Sequence, residues 1–245
     1  MHSFVYGPVF SRRLGRSLGI DLIPHKTCPF DCSYCECGKT TCLTRERALF
    51  FPAENILSAL DQVMASRPDL DYITFAGSGE PTLSLALGTV IRHIKKTYPD
   101  HRVAVLTNGS LCGNEDIIAD LLPADLIVPT LTTAWENTFS QIHRPLPGIP
   151  VHGVIEGLTK LRKAFFGEIW LELFLIPGLN TTPSEITSIR EALLQIQPDR
   201  VQLNTLDRRG TDVHIQPASL EDMEKICKYL EKVGLTVDVI GPEFP

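Results

Sequence analysis

The chain has 245 residues, of which 43% are hydrophobic and 21% charged, the balance of a globular protein able to bury a core. Its formal net charge of −6 argues against a bulk basic surface for nucleic acid, leaving only a local patch such as Arg12, Arg13, Arg16 and Lys26. No apolar run reaches the roughly 18 residues of a membrane-spanning helix, and the opening MHSFVYGPVFSRR lacks the apolar stretch of a secretion signal, so a cytoplasmic protein without a membrane partner is expected.

In chain order, LGIDLI (18–23) reads as the first strand, followed by a cysteine-rich loop (25–42) and a helix over 53–66 with apolar Ile56, Leu57, Leu60 and Val63. YITFA (72–76) is a strand and 83–97 a helix; VAVLT (103–107) is a strand and 115–122 a short helix. DLIVPT (125–130) is a strand, with helix over 135–141 and again over 151–166. IWLELFLI (169–176), a helix over 183–195, RVQLN (200–204), a helix over 220–233 and a closing strand at 235–240 complete the pattern. Six strand–helix repeats in one uninterrupted domain (1–245) predict a parallel sheet covered by helices, either open and doubly wound or curled into a full or partial barrel. The chemically distinctive segments all follow strands, as in a barrel whose chemistry sits on one face.

Five of the seven cysteines fall between Cys28 and Cys42, which in a cytoplasmic protein reads as metal binding. Cys28, Cys32 and Cys35 are spaced C-x3-C-x2-C. Thiolates this close on one loop suit an iron–sulfur cluster with one iron left open, or a zinc ion completed by His25, Cys37 or Cys42. Cys112 and Cys227 read as ordinary small apolar residues.

C-x3-C-x2-C with an aromatic before the last cysteine, here Tyr34, resembles the signature of the radical S-adenosylmethionine (SAM) superfamily. Gly77-Ser78-Gly79-Glu80-Pro81, after the second strand, resembles that family's glycine-rich loop, whose backbone meets the amino group of SAM's methionine. Glycines permit that approach and a carboxylate suits an ammonium. YGPVFSRRLGRSLGIDLIPHKTC, GSGEPTL, VLTNGSL, HRPLPG and VQLNT are similar to a subgroup described as like tRNA wyosine synthases, over Tyr6 to about Ile240.

The resemblance implies an α/β fold, a partial (β/α)6 TIM-type barrel forming a single radical SAM core domain. It implies a 4Fe-4S cluster on Cys28, Cys32 and Cys35 and S-adenosyl-L-methionine (SAM) bound at the open iron. Reductive cleavage of SAM would then yield a 5′-deoxyadenosyl radical that modifies an unidentified substrate: an RNA base, a peptide or a small metabolite. It also implies an electron donor such as flavodoxin or ferredoxin. Tyr34 is expected near the adenine, or filling the base of the loop. Thr107, Asn108 and Gly109 would line the site or form an ordinary Asn-Gly turn. Thr130 begins Thr130-Leu131-Thr132 where relatives read Ser-Leu-Asp, and retains a hydroxyl able to bond a carboxylate. Asn204 would contact ribose or substrate, or cap the chain locally. In His143-Arg144-Pro145 the Arg144 fork suits a carboxylate or phosphate, or a surface ion pair; Arg12 and Arg13 would lie over the barrel mouth. A zinc- or cluster-containing binding or electron-transfer protein without SAM chemistry is the competing reading.

Overall fold

The structure is a computed structural model that describes residues 3–241; the outermost residues of the expected 1–245 domain lie outside that range. β1 (Val5–Ser11) and β2 (Gly15–Ile20) pair antiparallel as a hairpin. Its turn is fastened by the Ser11 hydroxyl, which accepts from the Arg13 and Leu14 amides at 3.3 and 3.2 Å. The cysteine loop follows and is stitched by two short strands, β3 (Thr27–Cys28) and β4 (Cys42–Leu43). Then come α1 (Ala53–Met64), β5 (Tyr72–Phe75), α2 (Leu87–Thr97), β6 (Arg102–Thr107), α3 (Glu115–Leu121), β7 (Leu126–Pro129), α4 (Glu136–His143) and α5 (Val151–Ala164). β8 (Glu168–Phe174), α6 (Pro183–Ile196), β9 (Arg200–Asn204), α7 (Leu220–Glu231) and β10 (Val237–Ile240) complete the described chain.

The main sheet runs β1-β2-β5-β6-β7-β8-β9-β10, parallel from β2 onward. It curls into a partial barrel, one of the two architectures the strand–helix repeats left open and the one the resemblance implies, with β10 as the added strand. β5 and β7 bury all four of their residues, because helices cover one face and the barrel interior fills the other. A large core packs between sheet and helices. A smaller one inside the barrel joins Leu14, from the hairpin turn, to Tyr72, Ala104, Leu126 and Val128. From the same turn, Arg12 donates to the Gly241 carbonyl at 2.6 Å and pairs with Asp207 at 3.2 Å, tying the β1–β2 hairpin to the opposite edge of the sheet.

Three of the departures from the periodicity have local reasons. β2 occupies 15–20 rather than 18–23, because Asp21 leaves the sheet and its carboxylate accepts from the amides of Ile23 and Ser78. Helix α2 begins at Leu87 rather than 83, because Pro81–Leu83 forms a 3₁₀ turn capped by Glu80. β1 carries Gly7 and Pro8 and is exposed along most of its length, so it shows no alternation; an edge strand tolerates proline where a central one does not. Among the described residues no helix is long and apolar enough to cross a membrane.

Candidate functional site

The C-terminal ends of the parallel strands open into a cavity of about 470 Å³, within the range of small-ligand sites. Cys28, Cys32 and Cys35 line one side of it. The loop that carries them is rigidly built. Asp31 accepts from the Thr40 amide at 2.7 Å, and the Thr40 hydroxyl donates to the Phe30 carbonyl at 2.7 Å. Phe30 is fully buried against Phe139 and His143. From the β9–α7 connection, the Thr211 hydroxyl donates to the Cys32 carbonyl at 2.9 Å.

Each of the three sulfurs has a side-chain nitrogen neighbour from a different residue. Asn108 Nδ2 donates to Cys28 Sγ at 3.4 Å and Lys26 Nζ to Cys35 Sγ at 3.0 Å; His143 Nδ1 lies 3.2 Å from Cys32 Sγ. Burial pushes the Cys28 thiol up to about 12 and Cys32 well above its ordinary value. Cys35 is instead held down, to about 5, by its Cys37 neighbour and by Lys26, against the opposing effect of burial. His143, 1% exposed, is pushed down to about 3 by burial, so its imidazole is neutral at pH 7.

The Gly77–Pro81 segment forms the adjoining wall and is stapled to the cysteine loop. The Lys26 amide donates to the Ser78 carbonyl at 2.9 Å and the Glu80 amide to the Thr27 carbonyl at 3.1 Å. A Cβ on Gly79 would collide with the Thr27 carbonyl oxygen, and one on Gly77 with the Asp21 carboxylate. Gly77, Gly79 and Glu80 face the cavity. Ser78 turns away to donate to Asp21 at 2.8 Å, and Pro81 is buried in the 3₁₀ turn. The Glu80 carboxylate is engaged by the protein, mostly through Oε1. It accepts from Thr82 Oγ1 (2.6 Å), the Thr82 amide (3.1 Å), Thr107 Oγ1 (2.6 Å) and the Asn108 amide (2.8 Å), binding the end of β5 to the end of β6. Burial raises its pKa despite these donors.

Also lining the cavity, Glu172 from β8 gathers three expected residues. It accepts from Thr130 Oγ1 at 2.6 Å, Asn204 Nδ2 at 2.8 Å and Arg13 Nη1 at 2.6 Å. Tyr34 stacks on Phe174 with centroids 4.1 Å apart, at the cavity wall. The cavity thus collects Cys28, Cys32, Cys35, Tyr34, Gly77, Gly79, Glu80, Thr107, Asn108, Thr130 and Asn204, and leaves Ser78 and Pro81 outside.

Arg144 does not reach the cavity; it pairs with Asp212 at 3.4 Å in the open, the surface ion pair of the two readings. Thr132, at the position where relatives read Asp, is fully buried and lies 2.8 Å from His143 Nε2. Glu172 and Lys26 were not expected at the site. The signal for Glu172 was a lone carboxylate in the apolar run LELFL, and for Lys26 its place two residues before Cys28. Cys37 and Cys42 are exposed and Cys112 is buried. Among the described residues, no three His, Cys, Asp or Glu side chains converge as a single metal ion requires. Cys28, Cys32 and Cys35 all line the cavity, and in a cubane the cysteine ligands sit on separate irons.

A family model described as the Radical SAM superfamily matches residues 22–186. The chain is 41% identical over 236 residues to a protein named GTPase Obg of Brachyspira hyodysenteriae, covering 96% of this chain but 35% of that relative, so it spans about a third of that protein's length. It is 32% identical over 233 residues to a UPF0026 protein of Methanocaldococcus jannaschii, covering 94% of this chain and 72% of the relative. In fold it is similar to a radical SAM methyltransferase from Sphaerobacter thermophilus, with TM-score 0.70 at 17% identity over 93% of this chain and 67% of that one.

Proposed function

The chain belongs to the radical SAM superfamily, and from that premise we propose that it is an enzyme that reductively cleaves S-adenosyl-L-methionine at a 4Fe-4S cluster held by Cys28, Cys32 and Cys35. The observation that carries this reading is the set of three cysteine sulfurs, each beside a different nitrogen group, lining a cavity that also holds Glu80, Thr130, Glu172 and Asn204. Three thiolates leave one iron of a cubane without a protein ligand, and that open position is where SAM's amino-acid end would bind. When bound, the group supplies one-electron cleavage of the sulfonium C–S bond; the protein supplies orientation and shielding.

The chain's own residues divide that work. Lys26, Asn108 and His143 stabilise the thiolates by hydrogen bonding. Gly77 and Gly79 admit a ligand close to the backbone, while Glu80 is the strut that holds their loop in place. Glu172, oriented by Arg13, Thr130 and Asn204, offers carboxylate oxygens to ribose hydroxyls. Tyr34, braced by Phe174, flanks the adenine. The residues act as one core domain, and a flavodoxin- or ferredoxin-like donor supplies the electron.

The substrate is an RNA base, a peptide or a small metabolite. The sequence likeness to wyosine-synthase-like proteins keeps an RNA base among these, against an acidic overall charge. GTP hydrolysis is not carried over from the relative named for it. Gly38-Lys39-Thr40 has Ser33 where the first glycine of a phosphate loop would stand.

Metal analysis after anaerobic reconstitution with iron and sulfide tests the ligand set. About four irons per chain are expected in the wild type and in Cys42→Ala, and loss of iron in Cys32→Ala with the circular dichroism of the fold retained. Zinc in place of iron, or full iron in Cys32→Ala, would sink the assignment.

A further inference from the structure

We infer that His143 is a positioning residue that sets how readily the cluster of the proposed site accepts an electron, by donating a hydrogen bond from Nδ1 to the Cys32 thiolate. The inference rests on the proposed function, since it concerns the same cluster.

The His143 ring is held on its faces and at its second nitrogen. Its ring is held among Phe30, Phe139 and Tyr34, with centroids 5.0, 4.9 and 5.8 Å away. Nε2 is engaged by Thr132 Oγ1 at 2.8 Å. Thr132 is itself fixed, because Asn180 Nδ2 donates to its carbonyl at 2.7 Å and Asn180 is fully buried. A chain of buried contacts therefore runs from the β8–α6 connection, through the end of β7 and the last residue of α4, to the sulfur of Cys32.

The direction of the hydrogen bonds follows from what each atom can do. A thiolate only accepts, so the proton of the Cys32 contact must sit on Nδ1. In a neutral imidazole Nε2 is then the acceptor, and the Thr132 hydroxyl donates to it. The donation to sulfur would hold equally for an imidazolium, so it does not depend on the charge of the ring. A hydroxyl at position 132 suits this tautomer; a carboxylate there could not donate to Nε2.

Reduction adds negative charge to the cluster and its thiolates. A hydrogen bond to a ligand sulfur therefore stabilises the reduced form more than the oxidised form and raises the potential. Burial of the His143 side of the contact strengthens the effect.

The test is a redox titration of the reconstituted holoprotein without SAM, followed by the EPR signal of the reduced cluster. His143→Phe keeps an aromatic ring in the cage and removes the donor. It should hold its iron yet shift the oxidised–reduced equilibrium about tenfold toward the oxidised form, a fall of about 59 mV for one electron. His143→Gln, which retains an N–H donor, should recover most of the loss. An unchanged potential in fully loaded His143→Phe overturns the inference while leaving the proposed function standing; a wild-type protein that takes up no cluster fails the proposed function itself. If His143→Phe does not fold or load, Thr132→Val is titrated instead. It should lower the potential in the same direction by a smaller amount, and a wild-type potential there overturns the inference.

Discussion

Glu172 sits between Leu171 and Leu173 in β8, a carboxylate in a strand whose neighbours are fully buried. Burial alone would raise its pKa, but the Arg13 guanidinium and the donors Thr130 and Asn204 outweigh it and hold the carboxyl below the usual carboxylate range. A depressed pKa means that this group's contribution to stability is complete above the unfolded carboxylate value near 4.3 and is lost as pH falls through the folded value. Glu172→Gln leaves Arg13 without its counter-charge. It should cost about 2 kcal/mol at pH 7, with the gap to wild type narrowing as pH drops below about 4. Denaturant unfolding of both proteins across that range checks it; a gap that widens toward acid would contradict the pairing. Thr130 and Asn204 were legible one by one as polar residues at strand ends. Their common partner was not, because periodicity reads Glu172 as a mere interruption of an apolar run.

Among the elements, the cysteine loop and the Gly77–Pro81 segment meet backbone to backbone. Their backbone hydrogen bonds leave no room for a side chain at Gly79. Gly79→Ala should push the two loops apart, cost about 1–3 kcal/mol, and reduce the iron retained after gel filtration. Full iron with an unchanged unfolding midpoint would show that the junction yields freely. The strand–helix alternation was legible because buried parallel strands read as continuous apolar runs and their helices as 3.6-residue patterns. β1 was not, since an exposed edge strand broken by Gly7 and Pro8 has no period to detect. Nor could sequence spacing place the end of α4 against the cysteine loop. Residues 143 and 32 meet only through the tertiary path that Phe30 and Phe139 anchor.

At the scale of the molecule, the curled sheet converts segments scattered from Arg13 to Asn204 into one cavity lined by the cysteines and by the Glu172 group. The motifs were readable because each follows a strand, and parallel strands deliver their C-terminal ends to one face. The division of labour inside the cavity was not. Glu80, read from the sequence as a partner for an ammonium, also ties the end of β5 to the end of β6 through four protein donors, and the carboxylate that gathers Arg13, Thr130 and Asn204 belongs to β8. The account stands on SAM cleavage in this cavity. The decisive measurement is 5′-deoxyadenosine formed when the anaerobically reconstituted protein is reduced with dithionite and given SAM. The account predicts its formation by the wild type and its absence from Cys32→Ala. A fully loaded wild-type protein that forms none, and whose reduced cluster shows no change in its EPR signal on adding SAM, would contradict it.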